Sequence, residues 1–338
     1  MKKICILLFV CMVSCQCLAN DSIYRVCFYN FENLFDTFDD PEKNDDDFTP
    51  RGIKGWSSKK FKNKLKNLYK VIAALNSEYP AAIIGACEVE NKFVLNKLLH
   101  ETPLKNFDYS YIHYESNDPR GIDVALLYRQ DIIEFQYHEA IPVIMPGEKE
   151  SKTRDILYAL GRINQNADLH VFVCHFPSRY GGVGATVEKR NYVASFLRER
   201  VDSILLEDEN ANIIIMGDLN DEPDDASIKH FLCSDKLINL MEEISKTNEI
   251  GTLKHGALWS VFDQIIITEN LLMGENHIEI KDKKANIADF DFLLTEDEKF
   301  GGRKLFRTFH GAKYTGGFSD HLPVYVDLKI YRFNRKGR

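Results

Sequence analysis

Basic residues are in the minority: 43 Lys and Arg face 51 Asp and Glu, for a formal charge of -8. A chain with no basic excess lacks the electrostatic footprint of proteins that grip long nucleic acids irrespective of sequence, although a locally basic groove stays open. Cysteine says little about metal binding. Of eight, Cys5, Cys11, Cys15 and Cys17 fall in the first 20 residues, and Cys27, Cys87, Cys174 and Cys233 have no zinc-type spacing. Three of these four lie in strand-like runs and read as free, buried thiols. There is no internal repeat and no low-complexity linker. Past residue 20 there is also no apolar run of the roughly 20 residues that a bilayer needs. What the chain has is an ordinary globular composition, 44% hydrophobic and 12% aromatic, which excludes disorder of the whole.

The apolar run that stands out opens the chain, MKKICILLFVCMVSCQCLAN. A basic pair, Lys2 and Lys3, precedes the apolar stretch 4–13 and then small residues, the layout of a secretory signal. Cleavage after Ala19 would release residues 20–338. Met12-Val13-Ser14-Cys15 also resembles a lipobox with Cys15 as the lipidated residue, so membrane anchoring is expected only with Cys15 lipidated. The expectation is an exported protein, periplasmic, secreted or a surface lipoprotein, with residues 1–19 as its signal.

Strand-like runs recur at 23–31, 81–87, 109–114, 122–129, 156–163, 169–176, 211–217, 258–268 and 323–330. Apolar stripes at helical spacing mark 57–76 (Phe61, Leu65, Leu68, Ile72, Leu75) and 186–206 (Val193, Phe196, Leu197, Val201, Leu205), with a shorter helix at 91–99. Strands outnumber helices too far for one parallel sheet with a helix per crossover. Two packed, mostly antiparallel sheets with helices outside fit better. Long loops are expected at 36–55 and 281–303, and the lysines of 59–70 read as a solvated helix face.

The strand ends carry the chemistry. IIIMGDLNDEPD places Asp218 and Asn220 at the end of a buried-looking run, and residues two apart in a strand share a face. A calcium loop is excluded there, because Pro223 and Lys229 stand where the turn glycine and the last ligand belong. The same design recurs: YRVCFYNFENLFD with Asn30, AIIGACEVEN with Glu88, HVFVCHFPS with His175, SVFDQIIIT with Asp263, and GGFSDHLPVYVDL with Asp320 and His321. Each alone reads as a turn, a cap or a solvated acid. Six such ends together point to a site.

In this order the set resembles the endonuclease/exonuclease/phosphatase superfamily from Asn30 to His321, nearly the whole chain past the signal. The resemblance implies the DNase I-like four-layer α/β sandwich, two packed, mostly antiparallel sheets flanked by helices, with both chain ends in a single domain at 20–338. It implies a metal-dependent phosphoester hydrolase. Glu88 is the central metal ligand, assisted by Asn30 and Asp320, and the oxygen donors suit Mg²⁺ or Mn²⁺, with Ca²⁺ also accommodated. Asp218 is the base for the attacking water, Asn220 fixes that water or the phosphate, His321 donates to the phosphate with Asp263 behind it, and His175 is a second donor. Asp320 and His321 are neighbours, so both can serve only from a loop before the strand.

Arg120, Arg154 and Arg179 are candidate phosphate contacts, each equally readable as a surface or ion-pair residue. The substrate is a phosphoester, with a nuclease-type phosphodiester leading; no obligate protein partner is implied. A phosphomonoesterase and a sphingomyelinase-like phospholipase are the alternatives, the latter resting on Phe290, Phe292, Leu293 and Leu294 as a membrane-contacting patch. A non-catalytic binding module on the same fold would have lost Glu88, Asp218, His175 or His321, and all four are present.

Overall fold

The computed structural model describes residues 21–331 apart from residues 166, 234–235 and 248; the expected signal, Ala19 and Cys15 lie outside the described residues. The first half of the chain builds one sheet from β1 (Ser22–Leu34), β2 (Ala81–Val89), β3 (Tyr109–His113) and β4 (Asp123–Arg129). A second sheet follows from β5 (Ile133–Ile141), β6 (Ile156–Ile163), β7 (Ala167–His175), β8 (Ile213–Asp218) and β9 (Leu237–Asn239). A small hairpin, β10 (Leu253–His255) and β11 (Leu258–Ser260), precedes β12 (Asp263–Thr268), which lies between β8 and β9. The chain then returns to the first sheet through β13 (Ile278–Ile280), β14 (Asn286–Ile287) and β19 (Val324–Ile330), with hairpins β15–β16 (Leu294–Glu296, Arg303–Leu305) and β17–β18 (Phe309–His310, Lys313–Tyr314) between. The sheet orders are β13-β19-β1-β2-β4-β3 and β5-β6-β7-β8-β12-β9.

Both sheets are antiparallel except for one inner pair each, β1–β2 and β7–β8. A parallel pair needs a long crossover. Helix α1 (Ser58–Leu75) supplies it in the first sheet and α3 (Val183–Glu207) in the second; α2 (Lys92–His100) lies beside α1. Ser57 caps α1 by accepting from Lys60 N, and Asn91 caps α2 through Val94 N.

Strand alternation makes three apolar layers. In β1, Val26 and Phe28 face the other sheet, while Cys27 and Tyr29 face α1. In β8, Ile214 and Met216 face inward, and Ile213 and Ile215 meet α3. Helix, sheet, sheet and helix therefore stack in four layers, as expected. Cys27, Cys87 and Cys174 are free and buried; Cys233 is free and partly so. Among the described residues no helix is long and apolar enough to cross a membrane.

Four local expectations need correction. Residues 133–141 form an edge strand that sequence patterning misses, because only its two ends are buried. The run 258–268 is two strands, broken before Asp263. The 281–303 stretch carries short elements, and its apolar residues turn inward: Leu293 and Leu294 are buried, and Phe292 packs on Phe290 and Phe318. That removes the proposed membrane patch. Lys64, expected in water, is buried and donates to Thr308 Oγ1 at 2.7 Å and Phe318 O at 2.6 Å.

Candidate active site

The inward rows of four strands run from apolar core into polar side chains at one end of the sandwich. Asn30 continues Val26 and Phe28, His175 continues Val171 and Val173, and Asp218 continues Ile214 and Met216. Asp263 opens the row of Ile265 and Ile267. Sheet register then aligns His175, Asp218 and Asp263 side by side across β7, β8 and β12. Two carboxylates directly opposite repel, so a cation has to sit between them.

His321 fills that place. Its Nδ1 meets Asp263 Oδ2 at 2.6 Å, and its Nε2 stands 3.8 Å from Asp218 Oδ2. The loop before β19 delivers both Asp320 and His321, as their adjacency requires. Ser319 ties that loop down, donating to Asn30 O at 2.7 Å and accepting from His321 N at 3.1 Å. Burial opposes charge on His321, but Asp263 and then Asp218 outweigh it and hold its pKa well above the usual value. His175 Nε2 approaches the same Asp218 oxygen at 3.7 Å. Its pKa is pushed well below the usual value, by burial first and then by Arg154 and Arg120. One carboxylate oxygen thus has a charged imidazole on one side and a neutral one on the other. Asp218 itself is raised to about 7, by burial first, with Asp263 and Glu88 adding to it against His321.

Glu88 reaches this group through a backbone irregularity. Alternation along β2 would send it with Ala86 toward the helices. A bulge breaks the register between Cys87 and Val89, Glu88 takes φ +58°, and the side chain turns to the site. There it accepts from Asn33 N at 2.9 Å and from Asn30 Nδ2 at 3.4 Å; Asn30 Nδ2 also lies 3.1 Å from Asp218 Oδ2. Its pKa is raised by burial and then by Asp320. Asp320 is held by Arg307 Nη2 at 2.6 Å.

Asn220 sits differently from the strand-alternation argument. β8 ends at Asp218, and Asn220 takes φ +52° in the following turn. Its amide nitrogen donates to Phe176 O at 3.1 Å, and its backbone N–H donates to Asp218 Oδ1 at 3.1 Å. The arginines are largely occupied within the protein. Arg154, 6% exposed, donates to His175 O, Phe176 O and Asp118. Arg179 holds Asn220 O, Asp221 and Asp225 and lies over the Phe262 ring. Arg120 is half-exposed beside Asp118.

Sequence reasoning missed the support beneath the site. Glu32 is buried two residues beyond Asn30, accepts from Thr308 N and Arg307 Nε, and has Lys64 Nζ at 4.0 Å. The NFE spacing was the available signal. Asp221, the second acid of GDLND, forms a buried pair with Arg190 Nε of α3 at 2.7 Å and accepts from Ser227. That pair anchors the turn after Asp218 rather than facing substrate.

Carboxyls whose pKa values burial raises, and a ligand set of Glu88, Asn30 and Asp320 that offers oxygen atoms, fit a hard divalent cation. Ligand atoms of Asp218, Asp263 and His321, and of Cys87, His175 and Asp218, also cluster within 4.8 Å, so acidic and imidazole groups able to hold a metal converge here.

The four-layer sandwich with this acidic mouth defines a DNase I-like phosphoesterase, a metal-dependent hydrolase. The profile of the Endonuclease/Exonuclease/phosphatase family matches residues 25–330, and the chain belongs to that family. No curated protein sequence matches it. Solved structures share the fold. An endonuclease/exonuclease/phosphatase family protein from Bacteroides thetaiotaomicron superposes with TM-score 0.60 at 16% identity, over 92% of this chain and 99% of that one. D. rerio TDP2 with a single-strand DNA product gives 0.56 at 15%, over 91% and 99%. A mannosyl-6-phosphatase from B. thetaiotaomicron gives 0.57 at 16%, over 90% and 99%.

Proposed function

We propose that residues 20–338 form a single-domain, exported phosphodiesterase of the nuclease type, in which Asp218 deprotonates the attacking water. The observation that carries this reading is the convergence of Asn30, His175 and His321 on one oxygen of Asp218. A base near neutral pKa, raised to about 7 here, is matched to proton abstraction at neutral pH. Asn220 N and Asn30 Nδ2 fix the two carboxylate oxygens, so the base is oriented before substrate arrives. His321 Nε2 donates to a phosphate oxygen as charge builds up there, while Asp263 accepts from Nδ1–H and holds the tautomer. Neutral His175 contributes a second donor. Arg120, the more exposed of the arginines, meets the substrate phosphate; Arg154 and Arg179 position His175 and the Asp218 turn.

Glu88, Asn30 and Asp320 would hold Mg²⁺ or Mn²⁺, which when bound screens phosphate charge. Asn30 Oδ1 accepts from Glu32 N at 2.8 Å and retains a second lone pair for this purpose.

The solved neighbours include one with a DNA product and one acting on a sugar phosphate, so the test carries both classes. Purified protein with Mg²⁺ or Mn²⁺ is offered single- and double-stranded DNA, RNA, a choline phospholipid, a sugar phosphate and a generic phosphodiester. Wild type is expected to cleave diesters, and Asp218→Asn to lose about 10²–10⁴ in kcat with its fold intact. Unchanged kcat in Asp218→Asn would remove it as the base, and turnover of the sugar phosphate alone would reassign the enzyme as a monoesterase.

A further inference from the structure

A second group of ligand-type side chains stands apart from Asp218. His113 closes β3, Asp123 opens β4, and Glu115 lies in the loop joining them. One ligand atom from each lies within 4.8 Å of the other two. His113 and Asp123 are 4% and 2% exposed, so their polar atoms need partners inside the protein. Those partners are missing. Neither ring nitrogen of His113 makes a hydrogen bond, and neither does Oδ2 of Asp123. Their closest approach, Nε2 to Oδ2, is 3.5 Å. Oδ1 of Asp123 accepts from Ser116 N at 2.9 Å, so Oδ2 alone is left without a hydrogen bond. Asp155, the residue before β6, and Asp123 both line a cavity of about 10 Å³ that adjoins the cluster without being lined by His113 or Glu115, and Asp155 Oδ1 is also buried without a hydrogen bond. A space of that size takes one water or one ion.

We propose that His113, Glu115 and Asp123, with Asp155 adjoining, form a second divalent-cation site outside the reaction centre. One imidazole nitrogen among carboxylate oxygens suits Zn²⁺ or Mn²⁺ better than the all-oxygen preference of Ca²⁺ and Mg²⁺. A cation supplies a partner at once for one His113 nitrogen and for Asp123 Oδ2. It also closes the ends of the 114–122 loop on one another, because His113 and Asp123 are that loop's two anchors. The loop carries Arg120 and also Asp118, which holds Arg154 and through it the end of β7. Occupancy of this site therefore stiffens one wall of the reaction centre without touching it.

The test is Zn²⁺ binding, by competition with a chromophoric chelator, in the Glu88→Gln/Asp218→Asn protein, where the central ligand assigned to the reaction centre and the carboxylate common to both clusters there are gone. One tight equivalent is expected, with a Zn²⁺-dependent rise in Tm. His113→Gln and Glu115→Gln added to that background should each weaken binding at least tenfold and abolish the Tm rise. Glu115 is exposed, so its variant keeps the fold even if the change at His113 does not. Co²⁺ in place of Zn²⁺ should show visible absorption bands that change on loss of the His113 nitrogen. Equal Zn²⁺ affinity in the parent and in Glu115→Gln, or no tight equivalent in the parent, would overturn the site.

Discussion

Arg154→Met asks whether an arginine at the edge of the site serves substrate or scaffold. Methionine keeps most of the apolar stem and deletes the guanidinium. Three contacts go: Nη1 to Asp118 Oδ2 at 3.0 Å, Nε to His175 O at 3.2 Å, and Nη2 to Phe176 O. The residual partners set the magnitude. Asp118, with 4% of its side chain exposed, keeps Arg120 at 3.3 Å, and Phe176 O keeps Asn220 as donor. Breaking a buried pair outright costs about 3–5 kcal/mol, and a buried acceptor left bare about 1–3 kcal/mol. With those two replacements in place, urea unfolding at pH 7 should show a loss of about 3 kcal/mol. Adding Asp118→Asn should return about 1–2 kcal/mol, the coupling expected of residues in contact.

The acid limb carries a second signature of the same pair. Asp118 lies below the usual carboxylate range, because Arg154 and then Arg120 outweigh the burial that raises it. Such a group stabilises fully above its unfolded pKa and loses the contribution as pH falls through the folded one. Arg154→Met should flatten that acid dependence. Since the arginine holds the end of β7, kcat should fall through displacement of His175 while KM changes little. If stability stays within about 1 kcal/mol of wild type and KM rises tenfold or more, the guanidinium binds phosphate and the scaffold argument is wrong.

Glu88→Gln should raise the Mg²⁺ or Mn²⁺ concentration for half-maximal turnover by at least about tenfold, and chelation should silence the wild type; full activity in chelator would refute the metal assignment. In Asp263→Asn the His321 pKa should fall, since the carboxylate that raises it is gone, moving the alkaline limb of the pH–rate profile to lower pH and lowering kcat by about 10²-fold or more. An unmoved limb would detach the pair from the reaction. Lys64 has its pKa lowered to about 8, by burial first, against the raising effect of Glu32. The unfolded chain therefore binds its proton more tightly, and this lysine makes stability rise with pH from about 8 to its usual 10.5. Lys64→Met should remove that rise, read as the difference between the two denaturation series; parallel curves would show that the amine is solvated.

Much of the site was legible because it is built from local alternation. Val26-Cys27-Phe28-Tyr29 and Ile213-Ile214-Ile215-Met216 each present one face to the inter-sheet core and one to a helix, and the next inward position is Asn30 or Asp218. A polar residue ending such a row must emerge at the mouth of the sandwich, whatever partner it finds there. Glu88 breaks the rule. Its strand sends it outward, and only a bulge in left-handed backbone returns it, a conformation unfavourable for a non-glycine residue and imposed by its surroundings. Asn220 is a second case, placed by a turn and not by the strand.

The sequence by itself determined the layers, the order of strand ends and the residue types that converge, because periodicity and side-chain chemistry are local properties of the chain. Tertiary structure alone decided how those groups are paired. His321 finds Asp263 from 58 positions away, Asn30 finds Asp218 from 188, and Lys64 finds Phe318 from 254. Arg154 and Arg179 have the chemistry of phosphate binders, yet buried carbonyls and carboxylates reach them first. Burial makes an unpaired charge costly enough that the nearest opposite charge takes it, and which charge is nearest depends on the packing of the two sheets, not on any one segment of the chain.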